Sequence, residues 1–321
     1  MPPSWTSIFS AVGGVSSAYI SYCVLDFLYL HFLRPSSLPR YLPHPSTASN
    51  RPWALITGAS DGIGKGFAEE LCSRGFNIVL HGRNPDKLEA VKRALTAQNP
   101  TAQIKLVVLD AHPCDSAAIE RVAASLLGEV PLTVLVNNVG GMGTVVPSFR
   151  TLQDTAPADL DQLLALNVRF ATHITRALLP NLVQRQCLVI NVGSVTAMLP
   201  QPWLGVYAGS KAYNLAWSRS LRAEMVAAGK EVEVLGLAVG EVKSQNNSGG
   251  EGVKLFKPSS RTLARAALAK VGCGRAVVVP YVLHALQIAL MGLAPEWVVE
   301  RLMVRVSREY MATEEKAKKQ G

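Results

Sequence analysis

The chain has 321 residues, 49% of them hydrophobic and 17% charged, and a net charge of +9. Its positive mean hydropathy, +0.20, is high for a freely soluble enzyme and points to a membrane segment beside one large or two modest domains. The charge suits an anionic leaflet or phosphate-bearing ligands. Without zinc spacing or an aromatic-interleaved basic patch, nucleic acid is not an expected partner, and five scattered cysteines without CxxC argue against both a metal site and a disulfide framework.

Residues Ile8 to Leu33 are almost entirely apolar or small, with Asp26 the only acid. As a helix this run reaches roughly 39 Å, against a hydrocarbon core of about 30 Å. It lacks the basic start of a secretory signal, so a membrane anchor over 1–34 is expected, with Asp26 near one end or facing a partner. Arg34, Arg40 and Arg51 follow, and no Lys or Arg precedes. The positive-inside rule then leaves the downstream domain in the cytosol. Residues 35–52, rich in Pro and Ser, read as a linker.

From Trp53 to about Lys270 short apolar runs alternate with helical patterns. The expected strands are Ala54–Thr57, Asn77–His81, Lys105–Leu109, Thr133–Asn137, Leu188–Val192 and Glu233–Ala238. The expected helices include Gly64–Ser73, Pro85–Ala97, Ser116–Leu127, Ala158–Leu179 and Val206–Ala228. Strands this apolar belong to a parallel sheet covered on both faces, so an α/β doubly wound (Rossmann) domain is expected over 53–275.

Between the first strand and its helix lies TGASDGIG, residues 57–64. A glycine-rich turn at a helix N-terminus cradles phosphate, although a turn that merely reverses the chain has the same composition. The candidates here are Gly58, Ser60, Asp61, Gly62, Ile63 and Gly64. After the second strand no acid is present to hold a ribose 2′-hydroxyl. Arg83, with Lys65 nearby, is placed to meet a 2′-phosphate, which favours NADP(H) over NAD. Asp110 and Asn137 end the third and fourth strands, where ligands sit in such sheets. Asp110 is equally well read as a helix cap.

Tyr207 and Lys211 are four apart and share a helix face. An ammonium beside a phenol lowers its pKa and eases proton exchange with a substrate oxygen. Ser194 ends the fifth strand, and Asn167 lies in the preceding helix. YxxxK alone arises by chance in many helices; the ordered set of glycine loop, NNVG, Asn, Ser, Tyr and Lys is the specific signal.

With those residues in place, residues 50–275 resemble the short-chain dehydrogenase/reductase superfamily. The resemblance implies that Tyr207 is the general acid for ketone reduction. Lys211 lowers its pKa and binds the nicotinamide ribose, Ser194 positions the carbonyl, and Asn167 holds a relay water. TGASDGIGKGFAEELCSRGFNIVLHGRNPDKL, the Val of NNVG and Met198-Leu199-Pro200-Gln201-Pro202 resemble a membrane-bound branch within it. That branch contains very-long-chain 3-oxoacyl-CoA reductases and 17-beta-hydroxysteroid dehydrogenases. After the sixth strand the superfamily's Pro-Gly, and the Thr that touches cofactor, are replaced by Ala238-Val239-Gly240-Glu241-Val242. Val242 is a cofactor-binding candidate, and the polar stretch Asn246–Gly252 suits a mobile lid.

Tyr281–Ala294 is apolar but short for a span. Trp297, Val298, Leu302, Val306 and Tyr310 recur at helical spacing with Arg301, Arg305 and Arg308 among them. Residues 276–321 are expected as a membrane-associated amphipathic region, with a helix packed on the domain or covering a substrate tunnel as the alternative. Lys318 and Lys319 match a dilysine signal for retention in the endoplasmic reticulum, and the sequon at Asn246 is taken as chance. The expected activity is NADPH-dependent reduction of a long-chain 3-oxoacyl-CoA in fatty acid elongation. A steroid or other lipophilic ketone, and a non-catalytic cofactor-binding scaffold, are the alternatives. Other elongation enzymes and a homodimer are the expected protein partners.

Overall fold

The computed structural model describes residues 5–42, 51–143, 145, 147–243 and 254–320. The loop expected at 246–252, the sequon and residues 43–50 lie outside the described residues, as do the side chains of Lys318 and Lys319.

Seven parallel strands form one sheet. They are β1 (Trp53–Ile56), β2 (Asn77–Gly82), β3 (Ile104–Val108), β4 (Leu132–Asn137), β5 (Cys187–Val192), β6 (Val232–Leu237) and β7 (Val277–Val278). The order is β3-β2-β1-β4-β5-β6-β7. The sheet therefore switches winding direction between β1 and β4, and a crevice opens beyond their carboxyl ends. The expected strands are all present within one residue at each end. β7 is new and lies just beyond residue 275. Two residues are too few for periodicity to reveal.

Side chains alternate between the two faces with the period of two that a strand imposes. Ala54, Ile56, Ile78, Leu80, Val134 and Val136 join one core. It is covered by α2 (Gly62–Ser73), α3 (Pro85–Gln98) and α8 (Ser260–Leu268). Leu55, Val79, Leu135, Val189 and Val234 join the other. That face is covered by α4 (Ser116–Glu129), α6 (Phe170–Leu182) and α7 (Gly205–Ala227). Gly66 lets α2 and α8 meet backbone to backbone, since a Cβ there would lie 2.5 Å from the Ser260 carbonyl.

The helix expected over 158–179 is instead α5 (Pro157–Leu164), a π-turn (Ala165–Arg169) and α6. A π-turn inserts one extra residue per turn and rotates the side chains on either side, which apolar periodicity does not show.

At the N-terminus, α1 (Trp5–Leu28) continues into a π-turn at Tyr29–Leu33. The run Phe9–Leu33 is long and apolar enough to cross a membrane, and none of its most hydrophobic window is buried in the protein. Its far end is bolted to the domain. Asp26 pairs with Arg275, Lys270 Nζ donates to the Leu30 carbonyl at 2.9 Å, and Arg34 donates to the Val271 carbonyl at 3.0 Å. The first part of the stretch read as linker is docked as well. Leu38 and Tyr41 are buried, and the Tyr41 hydroxyl donates to Glu233 at 2.8 Å.

At the other end α9 (Val282–Met291) and α10 (Glu296–Gln320) follow β7. Val299, Met303 and Ser307 bury one stripe of α10 against the domain, so α10 is packed on it, while Leu290, Leu293, Trp297 and Leu302 stay exposed. The buried stripe is thus offset from the apolar positions 297, 302 and 306 picked out by the sequence pattern.

Candidate active site

The glycine loop leaves β1 at the switch point. Gly58 (φ 66°) and Gly62 (φ 56°) adopt left-handed backbone, which costs other residues about 1–2 kcal/mol. A Cβ on Gly58 would press on Asn138 Nδ2 at 3.0 Å. Asp61 caps α2, accepting from the Gly62 N–H at 2.7 Å. Ser60 lies beside Gly82 at the end of β2, and Ile63 packs on the core beneath. A glycine cradle at a helix N-terminus fits a dinucleotide diphosphate.

Around the loop the assigned residues fare differently. Arg83 is exposed just past β2 and makes no ion pair among the described residues. Lys65 lies 4.0 Å from Glu69. Asp110 is exposed and accepts from the His112 N–H at 3.0 Å. It does not cap a helix: the N-cap of α4 is Asp115. Asn137 faces the core, because it has the parity of Leu135. Its amide donates to Thr175 and Asn191, both at 2.8 Å. Its neighbour Asn138, which the sequence reading passed over, holds the loop. The Asn138 amide donates to the carbonyls of Thr57 at 3.0 Å and Gly58 at 3.2 Å. Strand alternation was the signal that could have separated the two asparagines. His81, also unforeseen, is buried and pushed down to about 4. It is therefore neutral at pH 7, and its Nδ1 accepts from the Gly58 N–H at 3.4 Å. Val242 is buried in the core that covers α2.

Asn167, Ser194, Tyr207 and Lys211 converge beyond the carboxyl ends of β4 and β5. Lys211 is buried and donates to the Val192 carbonyl at 3.2 Å. Its Nζ lies 5.8 Å from the centre of the Tyr207 ring. A Cβ built on Gly140 would fall 2.6 Å from Asn167 Oδ1 and 2.8 Å from Lys211 Nζ, so only glycine leaves that corner open. The π-turn aims Asn167 inward, where it grips Gly141. Nδ2 donates to the Gly141 carbonyl at 2.8 Å and to Leu163 at 3.0 Å, and Oδ1 accepts from the Gly141 N–H at 2.9 Å. Both side-chain N–H groups of Asn167 are thus used within the protein.

Burial sets the electrostatics. It pushes the Tyr207 phenol above its usual value, partly offset by a hydrogen bond from Ser194. It pushes Lys211 down to about 8. The lowered phenol expected from the Tyr–Lys spacing is not what the protein presents. Desolvation is the larger cause, and the Ser194 bond acts against it. A protonated phenol hydrogen-bonded to a serine hydroxyl can donate a proton to a carbonyl oxygen.

Residues 52–250 match the family model of the short chain dehydrogenases. The chain belongs to the short-chain dehydrogenase family. As such it is a nicotinamide-dependent oxidoreductase. Among its relatives, a very-long-chain 3-oxoacyl-CoA reductase of Pyricularia oryzae is 33% identical over 82% of this chain and 77% of that protein. One of Schizosaccharomyces pombe is 32% identical over 72% of this chain and 67% of that protein. A short-chain dehydrogenase from Sphingobium yanoikuyae, solved in complex with NADPH, superposes with a TM-score of 0.62 at 26% identity, covering 75% of this chain and 94% of that one.

Proposed function

We propose that the protein reduces the 3-keto group of a long-chain 3-oxoacyl-CoA to a 3-hydroxyl with NADPH, as a step of fatty acid elongation at the endoplasmic reticulum membrane, its domain facing the cytosol. The observation that carries the reading is the convergence of Ser194, Tyr207 and Lys211 beside the Gly140–Gly141 turn. The 3-oxoacyl-CoA reductases among the relatives support the substrate class. The apolar α1 and the arginines after it support the location.

NADPH would supply the hydride when bound; the glycine loop, braced by Asn138, would hold its diphosphate, and Arg83 would be placed to meet the 2′-phosphate. The chain supplies the proton. Tyr207, kept protonated at neutral pH by burial, donates to the carbonyl oxygen as negative charge develops there. Ser194 hydrogen-bonds the same oxygen and fixes the carbonyl. Lys211, charged at neutral pH, stabilises the tyrosinate left behind and is placed to hold the nicotinamide ribose. Asn167 fixes the Gly140–Gly141 turn beside Lys211.

Purified protein in detergent, given NADPH and 3-oxohexadecanoyl-CoA, should consume NADPH and yield the 3-hydroxyacyl-CoA by mass spectrometry. Absence of turnover with short and long 3-oxoacyl-CoAs alike would sink the proposal. Faster turnover of a steroid ketone, compared by kcat/KM, would replace the substrate and leave the chemistry in place.

A further inference from the structure

Helix α10 touches each of the three segments that leave the carboxyl ends of β4, β5 and β6. After β4, the Ser148 N–H donates to the Glu314 carboxylate at 2.9 Å, and the Phe149 ring stacks on Tyr310 at 5.9 Å. After β5, Gln201 donates to the fully buried Ser307 hydroxyl at 2.9 Å. After β6, Glu241 accepts from the Tyr310 hydroxyl at 2.5 Å and pairs with Lys257 at 2.8 Å. The first two segments are tied to each other too, the Arg150 N–H donating to the Trp203 carbonyl at 3.1 Å. Trp203 holds a left-handed φ of 61° to present it, a costly conformation for so bulky a residue.

These segments start at the Gly140–Gly141 turn, at Ser194 and at Gly240. A substrate carbonyl against Ser194 and Tyr207 has the sheet beneath it and the glycine loop beyond β1. α10 bridges all three segments on the side away from the strands. Where α10 meets the segment after β4 there is a seam: a cavity of about 130 Å³ lies between Pro147 and Phe149 on one side and Met311, Glu314 and Glu315 on the other. Pro147, Phe149 and Met311 give the lining an apolar, adaptable side, and Glu314 is held by the Ser148 N–H.

We infer that α10 is the outer wall of the substrate pocket and that the acyl chain leaves the site along the seam between Phe149 and Met311. The Tyr310–Glu241 bond sets the seam's width. The inference rests on the proposed reduction of an acyl substrate and adds which residues measure its chain.

The test compares kcat and KM for 3-oxobutanoyl-CoA and 3-oxooctadecanoyl-CoA in wild type, Met311→Trp and Tyr310→Phe, with NADPH binding followed by fluorescence as the folding control. Met311→Trp, which fills the seam, should lower kcat/KM for the long substrate about tenfold or more and leave the short one unchanged. Tyr310→Phe removes one hydrogen bond to a carboxylate and should raise KM for the long substrate about fivefold at constant kcat. Hydrogen exchange across 300–316 should quicken in Tyr310→Phe and stay constant in α7. Equal losses on both substrates, or no change on either with NADPH binding intact, would overturn the seam. If wild type reduces no acyl-CoA, the reading of function fails instead. The seam is then judged on the same variants with methyl ketones of graded length, where a chain-length-independent response overturns it.

Discussion

The two ends of the chain return to the domain at opposite edges of the same sheet. All strands run parallel, so the elements before them and after them lie apart. α1 and the segment after it dock at the amino edge, Asp26 and Arg34 against the turn before β7 and Tyr41 against Glu233 at the start of β6. α10 docks at the carboxyl edge, against the segments beyond β4, β5 and β6. A six-residue strand separates the edges by about 20 Å. The amino edge is fastened by apolar burial, carbonyl bonds and ion pairs and holds none of the residues assigned to chemistry. The carboxyl edge carries the left-handed glycines of the phosphate loop and of the Gly140–Gly141 turn, the buried lysine and the perturbed phenol. An anchor therefore does not by itself bring the pocket to a bilayer. The exposed face of Leu290, Leu293, Trp297 and Leu302 is the apolar surface on the helices that follow the carboxyl edge.

If the division is right, the largest effect comes from one atom at the carboxyl edge. Tyr207→Phe should lower kcat by about 10²- to 10⁴-fold, the usual worth of a positioned general acid. The NADPH dissociation constant, read by fluorescence titration, should stay within a factor of about two, because the cradle is built from other residues. Retained turnover would move the acid elsewhere.

Lys211 ranks next. Its folded value, about 8, lies below its unfolded one, 10.5. The charged form is thus a cost to stability that is fully present below pH 8 and is relieved as pH rises from 8 toward 10.5. Taken at face value the cost is about 3 kcal/mol. Lys211→Met, which has no proton to lose, should unfold at higher urea than wild type at pH 7. The difference should narrow by pH 10, while the variant has lost activity. A gap that is the same at both pH values would show that Lys211 is not paying this penalty.

Arg83 sharpens the cofactor side of the same edge. Arg83→Ala should reduce kcat/KM for NADPH by about 10- to 100-fold, the range for a lost charge-assisted hydrogen bond. NADH, lacking the phosphate, should be affected far less. Parallel losses for both cofactors would remove Arg83 from the 2′-phosphate.

The sheet was legible in the sequence because each strand is a short apolar run between turn signals, and both faces are covered. The glycine loop and the Ser194–Tyr207–Lys211 set were legible because they are local patterns in fixed order. What escaped depends on direction. Asn137 and Asn138 are adjacent letters, yet one turns to Thr175 in the core and the other to the glycine loop. The inward aim of Asn167 comes from a π-turn that sequence periodicity averages away. Long-range pairings such as Glu241 with Tyr310, or Asp26 with Arg275, leave no mark at all in a single sequence.

The smallest effect should come from the amino edge. The Asp26–Arg275 pair is partly exposed on both sides, and such pairs are worth about 0.2–1 kcal/mol. Most of the joint's strength lies in buried Leu30, Leu38 and Tyr41 and in the bonds from Lys270 and Arg34 to backbone carbonyls. Arg275→Ala should therefore shift the urea midpoint only slightly and speed proteolysis between residues 34 and 42, with kcat and KM unchanged in detergent. The pair is nonetheless informative, because it sits at the far edge from Tyr207. A large fall in kcat on losing Arg275 would mean that the docking of α1 is felt through the strands at the site, and the two edges would have to be treated as one coupled unit.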